Sequence, residues 1–297
     1  MLLLGASALL AVGYWAAIGR FSDELRAARS PFAIPAFWSH GATTPGIVAG
    51  SVALMQQRFS QAGFRLAAVR EGVALVPRLF LAQLPGDMPG LDDPDQRKAV
   101  FIKVLLPLIL AVDEAAADNR GRLIELAARE RQRRPITPAE RRWLADLARH
   151  YGGSVTDLDD LLARVDIVPP SLALAQAAEE TGWGTSRLVL QQNALFGQQE
   201  WSPTGLASAR AFAWLGGSVT AYIHNLNTHP AYAGFRAERA RLRAEGKPLD
   251  GEMLVRTLLS YSERRADYIA ALRRIIRGNA LSEFDAARLQ ADPPEAS

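Results

Sequence analysis

The stretch "AEETGWGTSRLVLQQNALFG", Ala178 to Gly197, decides how this chain is read. Two carboxylates, Glu179 and Glu180, close an apolar run that begins at Ser171, "SLALAQAAEE". Gly182-Trp183-Gly184 follows at once, and "NALFG" ends the stretch. Ser171 comes after Pro169 and Pro170 and is a good N-cap, so the run predicts a helix of about ten residues. Gly182 has no Cβ and suits the left-handed position that ends such a helix. Almost every position except the acids is apolar, so the helix is expected to be buried on most sides.

A carboxylate at a buried helix C-terminus loses hydration and faces the negative end of the dipole. Both effects raise its pKa. An acid that keeps its proton near neutral pH is what glycoside cleavage asks of a proton donor. Periodicity does not choose between the two acids. Glu180 shares a face with Ala173, Gln176 and Ala177, and Glu179 lies nearer Leu172 and Ala175. On the helix alone, a frayed and solvated end carrying both glutamates remains an alternative. Beyond the acids, the Gly-Trp-Gly turn presents a flat indole that can stack on a sugar ring. Thr185-Ser186 caps a second short helix, "RLVLQQ", with Asn193 as its left-handed C-cap.

Working upstream, "DLDDLLARV" predicts a short helix stopped by Pro169-Pro170. Thr137-Pro138-Ala139-Glu140 is a capping box that opens a helix ending at Tyr151-Gly152-Gly153. Pro94 to Asp118 is apolar enough to be buried, with a kink expected at Pro107. Helix continues over Gly121 to Arg134. "FRLAAVREGVALVPRLFL", residues 64–81, carries a turn signal at Glu71-Gly72 between apolar runs and predicts a hairpin. Ile47 to Gln61 predicts a short helix. Residues 21–46 hold several prolines and small polar residues and read as a linker.

With these elements in order, the chain resembles the glucosaminidase domain of glycoside hydrolase family 73, in its bacterial Bax-type branch. The segments that carry the resemblance are "SLALAQAAEETGWGTSRLVLQQNALFGQ", "SVTAYIHNLNTHPAYAGFR", "LLSYSERRADYIAALRRIIRGN" and, upstream, "VPRLFLAQLPGDMPGLDDPDQRKAVFIKVLLPLIL" with "RVDIVPPS". Together they cover roughly Val69 to Asn279. The resemblance implies a mainly α (α+β), lysozyme-like glucosaminidase domain with a small β-lobe. A helical extension and an N-terminal apolar helix are expected to precede it. It also implies hydrolysis of the β-1,4 bond after N-acetylglucosamine in peptidoglycan. The family's acid directly precedes Ser/Thr-Gly-Trp-Gly, which selects Glu180. Its late tyrosine matches Tyr261, although Glu263-Arg264 replaces the usual Asp-Pro. Trp183, Asn193, Phe196, Tyr222 and Tyr232 match substrate-side positions; Tyr222 and Tyr232 fit core positions equally well. A second carboxylate in the β-lobe is expected from "GQQEWSPTGLASARAF", which offers only Glu200. A single-acid route, or one assisted by the substrate's N-acetyl group, is the alternative.

The expected divisions are 1–20 as membrane anchor or signal, 21–46 as linker, 47–165 as helical extension, 166–280 as glucosaminidase domain and 281–297 as tail. Leu2 to Gly19 carries no charge and can just span a hydrocarbon core of about 30 Å. No basic residue precedes it and no Ala-x-Ala site follows, so an uncleaved anchor is favoured over a cleaved signal. A buried core helix is the remaining reading. Arg20, Arg26 and Arg29 pull the following side toward the cytoplasm, whereas cell-wall cleavage needs that side outside.

Composition narrows the chemistry. The 297 residues include no cysteine, which excludes disulfides, thiol catalysis and thiolate metal sites. The formal charge is +3. Arginine clusters at Arg129–Arg134 and Arg236–Lys247 read first as solvated helix faces, and second as affinity for an anionic polymer or surface. No nucleic-acid recognition motif accompanies them. His40, His150, His224 and His229 lack metal-ligand spacing with carboxylates, and neither a nucleotide loop nor Gly-x-Ser-x-Gly is present. No metal or cofactor is expected. The expected partners are peptidoglycan glycan strands and, through the N-terminal segment, the bacterial inner membrane, with the catalytic domain facing the periplasm. A lytic transglycosylase and a non-catalytic glycan-binding scaffold are the rival functions.

Overall fold

The computed structural model describes residues 50–201, 207–262 and 265–291, with the side chains of residues 200, 201, 207 and 265 excepted. The expected anchor, residues 1–20, and linker, 21–46, lie outside the described residues. No helix among the described residues is long and apolar enough to cross a membrane.

The fold is mainly α with one small hairpin, as the resemblance implies. Helix α1, Val52–Gln61, is capped by Ser51 and buries Val52, Met55 and Phe59, the apolar face its spacing defines. Helix α2 is Leu66–Arg70. The hairpin expected over residues 64–81 does not form. Gly72, at φ 70°, closes α2 with Val73 N donating to Ala68 O at 3.0 Å. Val76 makes only an isolated parallel bridge to Leu289. The turn signal was real, but it ended a helix.

Helix α3, Pro94–Arg131, is 38 residues long, is capped by Asp93 and stays helical through the buried Pro107. Its stretch from Val100 to Val112 is buried almost all round and forms the central post of the main core. Helices α4, Pro138–Tyr151, and α5, Leu158–Arg164, close a second cluster on the far end of α3, around Leu123, Trp143, Leu147 and Leu161. The capping box at Thr137 and Glu140 is formed.

Helix α6, Pro170–Thr181, is buried at every residue from Pro170 to Ala178. Ser171 is not its N-cap. Pro169 takes that position, and Ser171 N and Oγ donate to Asp285 at 2.8 and 2.7 Å. A carboxylate more than a hundred residues away thus supplies the cap that the local sequence seemed to provide. Helix α7 is Arg187–Gln192. Strands β1, Gln199–Trp201, and β2, Ala207–Ala209, pair antiparallel with Glu200 opposite Ser208. Helices α8, Leu215–Thr228, α9, Ala233–Ala244, α10, Gly251–Val255, and α11, Arg265–Gly278, complete the main core. The 3-10 turn Leu281–Phe284, in the segment read as a tail, buries Leu281 and Phe284 completely.

The arginine clusters are not simply solvated faces. Arg239 is wholly buried and donates to the carbonyls of Ala163 and Ile167, both at 2.8 Å. Asp166, also buried, lies 2.8 Å from Arg243, 3.6 Å from Arg120 and 3.8 Å from Arg239. These arginines together hold its carboxyl below the usual range against the opposing effect of burial. Arg129 pairs with Glu140 at 2.6 Å, and Arg131 pairs with Asp159. Charge runs in sequence cannot reveal acids that arrive from other elements.

Candidate active site

The end of α6 is built by three consecutive left-handed residues. Gly182, Trp183 and Gly184 have φ of 58°, 58° and 83°. A Cβ at Gly184 would meet Leu84 Cδ1 at 2.9 Å and Phe101 Cδ2 at 3.0 Å, so only glycine fits there. Thr181 Oγ1 accepts from Gly184 N at 3.0 Å and donates to Ala177 O at 2.6 Å, tying the turn to the helix. The Trp183 ring packs edge-on to Phe101 with centroids 5.6 Å apart, half-buried against the core.

Burial along α6 is broken only at the two acids and resumes at Thr181. Glu179 is half-buried and Glu180 is exposed. The buried setting expected for the acid is therefore absent: the last turn keeps Ala178 and Thr181 in the core while its other face presents Glu180 to solvent. That position lets a large polymer reach it.

The second motif folds back onto this carboxylate. Ser186 caps α7 and Asn193 ends it at φ 53°, as expected. Asn193 Nδ2 donates to Phe212 O at 3.0 Å. Leu195 N donates to Ser218 Oγ at 3.2 Å, and the buried Phe196 stacks on Tyr222 at 3.9 Å. Gly197 then arrives beside the acid at φ 61°, where a Cβ would stand 2.9 Å from Glu180 Oε2. The two motif glycine turns thus serve one carboxylate.

Beneath it runs a directed hydrogen-bond chain. Tyr222 OH donates to Gln176 Oε1 at 2.7 Å, which leaves Gln176 Nε2 to donate to Tyr268 OH at 3.0 Å. Tyr268, its oxygen occupied as acceptor, hydrogen-bonds to the Glu180 side chain. Tyr261 OH donates to Phe196 O at 2.8 Å and its ring stacks on Tyr268 at 5.6 Å. Tyr232 lies 6.0 Å from Tyr261.

Residues 156–281 match the glucosaminidase family, described as mannosyl-glycoprotein endo-beta-N-acetylglucosaminidase. A curated relative, Protein bax of Escherichia coli (strain K12), is 34% identical over 184 residues, covering 58% of this chain and 66% of that protein. The chain carries a glucosaminidase domain. The alignment spans just under two thirds of the length of that relative. No solved structure matches the chain.

Within the glucosaminidase domain the structure sorts the sequence candidates by depth. Glu180 stands at the surface; Trp183, Asn193 and Tyr261 are half-buried; Phe196, Tyr222 and Tyr232 are buried. Phe196 and Tyr222 therefore shape the site from below. Glu200 sits on β1, three residues beyond Gly197, and its side chain lies outside the described residues. Gln176 and Tyr268 escaped the sequence reading. A lone amide one helical turn before Glu180 in an otherwise apolar run was the available signal for Gln176. Burial raises the hydroxyls of Tyr261, Tyr222 and Tyr268 above the ordinary phenol range; neighbouring phenols add to this at Tyr261 and Tyr222, as does Glu180 at Tyr261 and Tyr268. They are hydrogen-bond donors at any physiological pH. No group of three or more His, Asp or Glu able to hold a metal ion occurs among the described residues.

Proposed function

We propose that the glucosaminidase domain cleaves the β-1,4 bond after N-acetylglucosamine in peptidoglycan, with Glu180 as general acid. The observation that carries this reading is the convergence of both motif turns and the Tyr222–Gln176–Tyr268 chain on one exposed carboxylate. Glu180 donates its proton to the leaving glycosidic oxygen, and water adds to the anomeric carbon. The motif order supports the sugar specificity through the family resemblance.

Glu200 is the proposed partner that takes the water's proton. An inverting pair needs about 6.5–9.5 Å between its carboxyl groups. Strand β1 begins two residues after Gly197, the residue beside the acid, and Glu200 is the carboxylate its sequence offers for this role. The domain acts in the periplasm of a bacterium, held at the inner membrane by residues 1–20.

Glu180→Gln should abolish clearing of purified sacculi, a loss of about 10²–10⁴-fold for a general acid. Glu179→Gln should lose far less. Equal losses would mean that the wrong carboxylate or role has been chosen. Borohydride reduction and mass analysis should find reducing N-acetylglucosamine ends. Anhydro-muramic ends would make the protein a lytic transglycosylase, and intact glycan with binding retained would make it a scaffold.

A further inference from the structure

A cavity of about 980 Å³ opens on the face of α8 turned away from the core. Arg149 and His150 at the end of α4, Gln198 and Arg210 of the hairpin, Trp214 and His224 bound it. Glu180 does not line it, and no described residue lining it is acidic. The helix explains the geometry. Val219, Tyr222, Ile223 and Leu226 face the core, leaving Gly217, Thr220, Ala221 and His224 to floor the cavity. Gln198 directly follows Gly197, which abuts Glu180, so β1 begins at the boundary between the two sites.

The walls have an unmet demand. Gln198 Oε1 is buried with no hydrogen-bond partner among the described residues. Buried amide groups without partners are rare in folded proteins and ask for an explanation. Arg210 is exposed, lies over the Phe212 ring at 5.0 Å and pairs with no carboxylate among the described residues. Arg149 shares its charge with Asp146 at 3.0 Å. The volume lies at the upper end of what small-ligand sites enclose, about 300–1,000 Å³.

We infer that this cavity binds the carboxylate-bearing peptide branch of the wall polymer while the glycan strand lies at Glu180. The inference rests on the proposed peptidoglycan reading of that site. In the intact polymer the lactyl carboxyls of the strand are tied up as amides to the peptide, so the glycan backbone is uncharged and has no use for Arg210. A peptide branch brings amide N–H groups for Gln198 Oε1, apolar side-chain surface for Trp214 and a free carboxylate for Arg210. Arg–carboxylate contacts can be bidentate, which fixes direction as well as charge. The peptide would then set which sugar of the strand falls beside Glu180.

The test uses the full chain and a synthetic acidic stem tripeptide, L-Ala-γ-D-Glu-meso-diaminopimelate, titrated by NMR. Shifts should map to Gln198, Arg210 and His224. Arg210→Ala should weaken binding at least tenfold, and amidation of the peptide carboxylates should do the same. Glu180→Gln should leave peptide binding unchanged. On sacculi, Arg210→Ala should raise KM with kcat held, and it should change neither constant on amidase-stripped glycan strands whose freed lactyl carboxylates are capped as amides. No peptide binding, or equal effects of Arg210→Ala on stripped and intact glycan, would overturn the inference. The two readings fail separately: peptide binding without cleavage would sink only the catalytic reading, and Glu180-dependent cleavage without peptide binding would sink only this one.

Discussion

Tyr268 is the residue on which the acid's position depends. Its oxygen accepts from Gln176, so its proton points toward Glu180. Tyr268→Phe removes that donor and strands the Gln176 amide. Turnover should fall about 10–100-fold, in line with the cost of misplacing a catalytic group by an ångström. Stability should fall by roughly 1–3 kcal/mol for the stranded buried donor. Steady-state kinetics beside urea unfolding separates the two, since glycan binding should hold. Gly197→Ala probes the same carboxylate from the other side. The methyl would press on Glu180 Oε2, and the left-handed backbone costs a residue with a Cβ about 1–2 kcal/mol. Activity should drop further than melting temperature predicts. An unchanged kcat in Gly197→Ala would show that the carboxylate is free to move aside.

At the scale of elements, α6 carries the acid at one end and is gripped at the other. Asp285 accepts from Ser171 N, Ser171 Oγ and, at 3.3 Å, from Gly251 N. Burial nevertheless pushes its carboxyl up to about 6. The folded state therefore holds a proton that the unfolded chain releases near 3.9. This contribution to stability is fully present below about 4 and is lost as pH rises through about 6, on the order of 3 kcal/mol in all. His150 acts in the opposite sense. Burial, then the adjacent His224, lower it to about 4. Its contribution is present above about 6.5 and is lost as pH falls toward 4. Urea titrations between pH 4 and 8 should show Asp285→Asn gaining on the wild type as pH rises. A difference independent of pH would mean that Asp285 does not titrate in the folded protein.

Across the whole molecule, one core joins the ends of the described chain. Arg70 donates to Ala280 O at 2.7 Å and pairs with Glu283. Val76 N donates to Arg288 O at 2.8 Å, and Gln290 N to Val76 O at 2.9 Å. Phe284 lies under the Arg70 guanidinium, 4.4 Å from ring to carbon, and is fully buried. Phe284→Ala should cost about 3–5 kcal/mol, read by denaturant midpoint. A loss under 1 kcal/mol would show the segment to be an accessory. At the cellular scale, protease treatment of spheroplasts should digest the glucosaminidase domain; full protection would place it in the cytoplasm and remove the cell-wall reading.

The local chemistry of the chain was legible without coordinates. The capping box at Thr137, the left-handed ends at Gly182 and Asn193 and the Ser186 cap all follow from what a few neighbouring atoms allow. The family's acid directly precedes Ser/Thr-Gly-Trp-Gly, and that position named Glu180 by resemblance. Long-range partners were not legible. Asp285 replaced Ser171 as the cap of α6, Asp166 drew Arg239 into the core, and Glu180 proved exposed because the core covers only one face of the last turn of its helix, the face of Ala178 and Thr181. Periodicity records which face of an element is apolar; only the packing of distant elements decides where that face ends and which charges meet behind it.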